Sequence, residues 1–100
     1  MLLSCNDIYF DSQSWKSWKE SESNMHLRWD MTDDLISNYD LNGKSINEIE
    51  ELLGEGTQKC NSDNCTIRYD LGPCRRGISY GSLSIRFYDG KAVHINKSCG

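Results

Sequence analysis

Apolar positions in this chain first recur at helical spacing and then, past residue 65, switch to alternation. Thr32, Leu35, Ile36 and Tyr39 follow an i, i+3, i+4, i+7 pattern, which predicts a helix with one apolar face. Its start is placed at Asp30 or Thr32, both competent N-caps, and Asp33 and Asp34 then sit in the first turn, where the helix dipole favours negative charge. Asn42-Gly43 breaks the pattern. A second helix opens on a capping box, with Ser45 as N-cap and Glu48 three residues on. Ile46, Ile49, Leu52 and Leu53 form its buried stripe, and Gly54 is placed as the left-handed residue beyond its end.

From Thr66 the period is two. Ile67, Tyr69 and Leu71 alternate with polar residues, as do Leu83, Ile85 and Phe87, and then Val93 and Ile95. Three half-buried antiparallel strands are therefore expected. In the last hairpin, a two-residue Asp89-Gly90 turn would pair Ile85 with His94 and split the apolar set. A three-residue loop, Tyr88-Asp89-Gly90, pairs Ile85 with Val93 and Leu83 with Ile95, and this longer loop is the expected one. The fold class is α+β: two short helices packed on one face of a three-stranded antiparallel β-meander. That single domain spans residues 28–100. Residues 1–27, rich in Ser, Asn, Asp and Glu but carrying Tyr9, Phe10, Trp15 and Trp18, read as a tether that partly docks. Trp15 and Trp18, three apart, are expected to share one face of a short helix as packing anchors.

Five cysteines in 100 residues point to an oxidising compartment, where bridges supplement a thin core. In an up-down-up meander the ends of the first and third strands share one sheet edge. Cys74 can then approach Cys99, leaving Cys60 and Cys65 at the opposite edge, so the expected disulfides are Cys60–Cys65 and Cys74–Cys99. Cys5 is the odd one out. It follows Leu2-Leu3-Ser4, similar to the end of a bacterial lipoprotein signal, so the start reads as the tail of a truncated signal with Cys5 as the lipidated residue.

Fifteen acidic against eleven basic residues give a net charge of −4. No basic excess exists to neutralise phosphates, so nucleic acid is not an expected partner. No stretch approaches the ~18 apolar residues a membrane span needs, and membrane attachment is expected only through an N-terminal lipid. An enzyme needs a nucleophile beside a base, paired carboxylates in a cleft, or an open metal site. Only two histidines are present, His26 in the tether and His94 on an outward strand position, and no local motif joins either to a nucleophile. A zinc site from Cys60, Cys65, Cys74 and His94 or Cys99 lacks a C-x2-C pair, and the compartment favours bridges. Glu48, Glu50, Glu51 and Glu55 read as a solvated helix face. No enzymatic activity, metal or cofactor is expected.

What remains is a surface. Arg68, Ser84, Arg86, Tyr88 and His94 fall on the outward sheet face, with Arg75 and Arg76 in the adjoining connection. Arg and Tyr are enriched at protein interfaces, although antiparallel sheets commonly leave such a face simply solvated.

Five runs carry a family resemblance: Met31-Thr32-Asp33-Asp34-Leu35-Ile36, Leu41-Asn42-Gly43-Lys44-Ser45, Glu48-Ile49-Glu50-Glu51-Leu52-Leu53-Gly54, Tyr69-Asp70-Leu71-Gly72 and Leu83-Ser84-Ile85-Arg86-Phe87-Tyr88-Asp89-Gly90-Lys91. Together the chain resembles, over roughly residues 28–96, small bacterial envelope lipoproteins of the SmpA/OmlA (BamE-like) type, whose shape is shared by the repeats of β-lactamase inhibitor protein. The resemblance implies a helix pair on one sheet face, the other face free for contact, and a lipid-anchored place on the periplasmic side of the bacterial cell envelope. Two features depart from it. Gly56 stands where a proline often follows the second helix, and the four downstream cysteines are not a family hallmark, so no partner is carried over from the outer-membrane assembly machine. The expected function is a monomeric, non-enzymatic module that binds another envelope protein in an assembly or scaffolding role. The alternative is a secreted or anchored inhibitor or immunity-type protein that blocks a toxin or enzyme through the same face.

Overall fold

The computed structural model of the chain describes residues 9–19, 26–75 and 79–99. Along it run α1 (Ser12–Ser17), α2 (Leu27–Asn38), α3 (Ile46–Leu53), β1 (Thr57–Asn61), β2 (Asn64–Arg75), β3 (Ser79–Tyr88) and β4 (Lys91–Cys99). The strands form one antiparallel sheet in the order β1-β2-β3-β4. The α+β class is as expected. The meander has a fourth strand, and a third helix precedes the expected pair.

β1 has no apolar alternation to announce it: its sequence is Thr-Gln-Lys-Cys-Asn and every residue is exposed. Its register on β2 places Cys60 directly opposite Cys65 and closes the hairpin through Ser62-Asp63, with Ser62 at a φ of 54°. The Cys60–Cys65 disulfide, Cα to Cα 4.0 Å, ties that rung. Pairing and a crosslink thus hold a strand that hydrophobic burial does not.

α2 begins at Leu27 rather than at Asp30 or Thr32. His26 occupies the N-cap without a side-chain capping bond; its Nδ1–H donates instead to the Pro73 carbonyl at 2.8 Å, since a carbonyl can only accept. Thr32 is interior, and its hydroxyl donates to the Arg28 carbonyl at 2.6 Å, the back-bonding that accommodates a hydroxyl within a helix. The buried stripe also differs from the expected one. Met31, Thr32 and Leu35 are buried with Leu27 partly so, whereas Ile36 and Tyr39, expected on the apolar face, remain 40% and 38% exposed. Tertiary contacts have overridden the local capping signal here.

α3 follows its sequence closely. Ser45 Oγ accepts from the Glu48 N–H and the Glu48 carboxylate accepts from the Ser45 N–H at 2.9 Å. That bond holds the Glu48 carboxyl below the usual carboxylate range. Ile49 and Leu53 are buried, and Gly54 closes the helix at φ 79°, ψ −169°. The φ is positive as expected, but the extended ψ takes it out of the left-handed helical region.

The β3–β4 hairpin corrects the expected loop. Tyr88 pairs with Lys91, so the connection is the two-residue Asp89-Gly90 turn, with both residues at positive φ, 52° and 80°. This is the geometry that matches strand twist. A bulge then shifts the register, since Phe87 pairs with Ala92 and Arg86 with His94. The extra residue is Val93, 52% exposed, and Ile85 consequently faces Ile95. The apolar face is preserved, but by a bulge inside the strand rather than by a longer loop.

The core lies between the helical layer and the inner sheet face. Ile67, Tyr69, Leu71, Leu83, Ile85, Phe87 and Ala92 meet Met31, Leu35, Ile49 and Leu53, together with Phe10 and the fully buried Trp15. α1 packs on α3, and Ser12 Oγ donates to the Leu52 carbonyl at 2.6 Å. β1 ends at Thr57 opposite Arg68, so the remainder of β2 is an edge. Pro73 is therefore tolerated there, and register shifts flank it.

Gly56 sits where the chain leaves α3 for β1. A Cβ there would meet the Arg68 carbonyl at 2.7 Å and Ile67 and Tyr69 side-chain atoms at 2.8 and 2.9 Å. Backbone cannot yield that distance cheaply. Gly56→Ala is expected to cost about 1–3 kcal/mol, read as a lower urea midpoint at an unchanged m-value; an unshifted midpoint would show that the β1 hairpin can back away.

Candidate binding face on the outer side of the sheet

Strand alternation sends every second side chain away from the helices, and the registers sort these into cross-strand rows. Asn64 pairs with Tyr88 and Tyr88 with Lys91. The next row runs Lys59, Thr66, Arg86, His94, and the one after it Thr57, Arg68, Ser84, Asn96. Asp70, Ser82 and Ser98 follow, with the two serine hydroxyls 3.1 Å apart. Of the expected face residues, Arg68, Ser84, Arg86, Tyr88 and His94 are brought together on one surface. Arg75 lies at the end of β2, while its side chain, Arg76 and Cys5 lie outside the described residues.

The face is open, and its lysines and arginines make no ion pair among the described residues. Lys59, Arg68, Arg86, Lys91 and His94 are all exposed. Among the described residues the one ion pair is Lys97–Asp33, at 3.0 Å beneath the sheet, where the ammonium also lies 3.8 Å from the Trp29 ring centroid. Thr66, Ser84, Arg86, His94 and Asn96 line a shallow concavity of about 300 Å³ at the centre of the face. Its lining offers hydroxyl, amide, imidazole and guanidinium groups and no carboxylate. A larger groove of about 480 Å³ runs between the end of α2 and β4. It meets the outer face at His94 and contains the exposed Ile36, Tyr39 and Val93.

The strongly perturbed groups lie instead on the inner side of the sheet, where it meets the helices. Tyr69 donates its hydroxyl to the Gly54 carbonyl at 2.8 Å, and burial, reinforced by Glu50, pushes its ionisation well above the usual tyrosine range. Arg28 donates to the Trp15 carbonyl at 2.8 and 3.0 Å and to the Asp70 carbonyl at 3.0 Å. Desolvation lowers its pKa, opposed by Asp70, and a guanidinium in such a setting stays charged. These contacts join α1, α2 and β2; they are structural.

All four downstream cysteines are consumed in bridges. Cys74 joins Cys99, Cα to Cα 6.0 Å, as Cys60 joins Cys65, and both pairings are those read from the sequence. Disulfide sulfur is no longer the thiolate that zinc would need. Two cations of the face, Lys59 and Lys91, were not legible in the sequence. Lys59 rides on the polar strand β1, and Lys91 joins the face only because the turn is two residues long. The paired asparagines and cysteines around Ser62-Asp63 were the available signal for the first.

No family model matches this chain, and neither the curated proteins nor the solved structures provide a match.

Proposed function

We propose that this protein is a non-enzymatic protein-binding module, and that it docks its partner on the outer face of the sheet. The observation that carries the reading is the asymmetry of the two sheet faces. The inner face of β2, β3 and β4 packs on the helices and supplies the core, whereas the outer one presents Arg68, Arg86, Tyr88 and His94 side by side with no ion-pair partner among the described residues. Arg and Tyr anchor protein interfaces because each contributes a large contact area together with directional hydrogen bonds.

The compartment belongs to the same proposal. Two bridges in so small a domain favour an oxidising location, which agrees with the bacterial envelope implied by the SmpA/OmlA resemblance and with lipidation at Cys5. An assembly or scaffolding role in the envelope is the reading these features support best.

Photo-crosslinking tests it. Benzoylphenylalanine at Ser84, at the centre of the face, is expected to yield a discrete adduct in envelope fractions of the source cells. The same group at Glu51, on the exposed side of α3, is expected to yield none. Adducts at Glu51 with none at Ser84 would move the binding surface to the helices and end this reading.

A further inference from the structure

The outer face carries a charge opposite to that of the whole molecule. Net charge is −4, yet Lys59, Arg68, Arg86 and Lys91 stand on the face against the single carboxylate Asp70 in its rows. Much of the negative charge lies on the helical layer, at Asp30, Asp33, Asp34, Glu48, Glu50 and Glu51. Arg86 is directly opposite His94 and diagonal to Arg68, within side-chain reach across the strands. Nothing within the described residues neutralises them.

We infer that the partner presents an acidic protein surface to this face, with a carboxylate side chain seated between Arg86 and His94 in the central concavity. The inference rests on the outer face being the binding face. A carboxylate there accepts from the Arg86 guanidinium in the planar, two-bond geometry that arginine offers. Thr66, Ser84 and Asn96 supply neutral donors around it. Discrete cations separated by hydroxyl and amide rows fit discrete carboxylates. A nucleic acid or an anionic membrane presents a dense, continuous charge, which the acidic remainder of this chain repels. The face carries two exposed tyrosines, Tyr80 and Tyr88, but they stand at opposite ends of β3, about 26 Å apart along the strand, too far to stack neighbouring bases.

The experiment uses the intact oxidised protein and three probes at matched charge: poly-L-glutamate, a single-stranded DNA oligonucleotide and phosphatidylglycerol vesicles. Poly-L-glutamate is expected to shift backbone amide resonances of β2, β3 and β4 around Arg86, and to bind more tightly than either other probe. The double variant Arg68→Glu/Arg86→Glu is expected to weaken that binding at least about tenfold, with an unchanged melting temperature because both side chains are exposed. Arg86→Lys is expected to retain the location of the shifts at lower affinity. Tighter binding of DNA or vesicles, undiminished binding by the double variant, or shifts confined to other surfaces would overturn the inference. So would self-association at low salt that the double variant abolishes, since the acidic helical layer of a second copy would then be the occupant. A Ser84 adduct that persists in the double variant refutes the acidic partner while leaving the binding face standing. Loss of adducts at Ser84 in the unaltered protein removes the face itself.

Discussion

Trp15→Ala is expected to destabilise the protein by about 3–5 kcal/mol. For a domain of this size that lowers the melting temperature by more than about 12 °C. Trp15 is fully buried although it lies in the polar N-terminal stretch. Its ring meets Phe10 at 5.8 Å and Tyr69 at 6.1 Å between centroids, and the Arg28 guanidinium lies 4.9 Å from it. Removing the indole leaves a cavity that backbone collapse cannot fill, because the Trp15 carbonyl is also held by two Arg28 donors. Trp15→Phe separates volume from polarity. The indole Nε1 is buried with no hydrogen-bond partner among the described residues, so phenylalanine removes a polar group while retaining most of the ring, and the loss is expected to fall well below that of alanine. Trp18→Ala, at a half-buried residue on the other side of Arg28, is expected to cost about 1 kcal/mol. Thermal and urea unfolding followed by circular dichroism ranks the three. A Trp15→Ala melting temperature within a few degrees of the parent would show that α1 is a dispensable strap.

The same residue shows what the chain announces and what it conceals. Two tryptophans three apart within a polar stretch signal docking, and Trp15 docks; the segment is nonetheless core, since Phe10 is buried with it and its N–H donates to Asp34 at 2.8 Å. Capping chemistry made α3 legible to the residue, because Ser45 and Glu48 satisfy each other locally. α2 lacked such a local solution. Its N-terminus is set by His26 and Arg28 reaching Pro73 and Asp70 on β2, partners that no local reading supplies. Period-two alternation located β2 and β3 but is blind to bulges, which change register without changing composition. Val93 therefore looked like a core residue and is a surface one. Of the outer face, Arg68, Arg86, Tyr88 and His94 followed from alternation alone, whereas Lys59 and Lys91 joined it only through β1 and the short turn.

The two disulfides differ in the loop they close, and their removal is expected to differ accordingly. Cys74 and Cys99 are 25 residues apart, Cys60 and Cys65 only five. Loop-closure entropy assigns about 3.5 kcal/mol to the first and about 2 kcal/mol to the second. Their structural settings widen the gap. Cys60–Cys65 reinforces a hairpin already paired on both sides of its turn. Cys74 follows Pro73 on the stretch of β2 that pairs with β3 alone, through an irregular register, and its bridge binds that end to the last residue of β4. Cys74→Ser with Cys99→Ser is therefore expected to lower the urea midpoint more than Cys60→Ser with Cys65→Ser. Graded reduction should weaken partner capture at Ser84 chiefly in step with loss of the Cys74–Cys99 bridge. The reason lies in the sheet itself: the rows that present Arg68 and Arg86 run between the two crosslinks, which tie both ends of the outer face. Equal midpoints for the two double variants would place the constraint on the face in strand pairing rather than in sulfur.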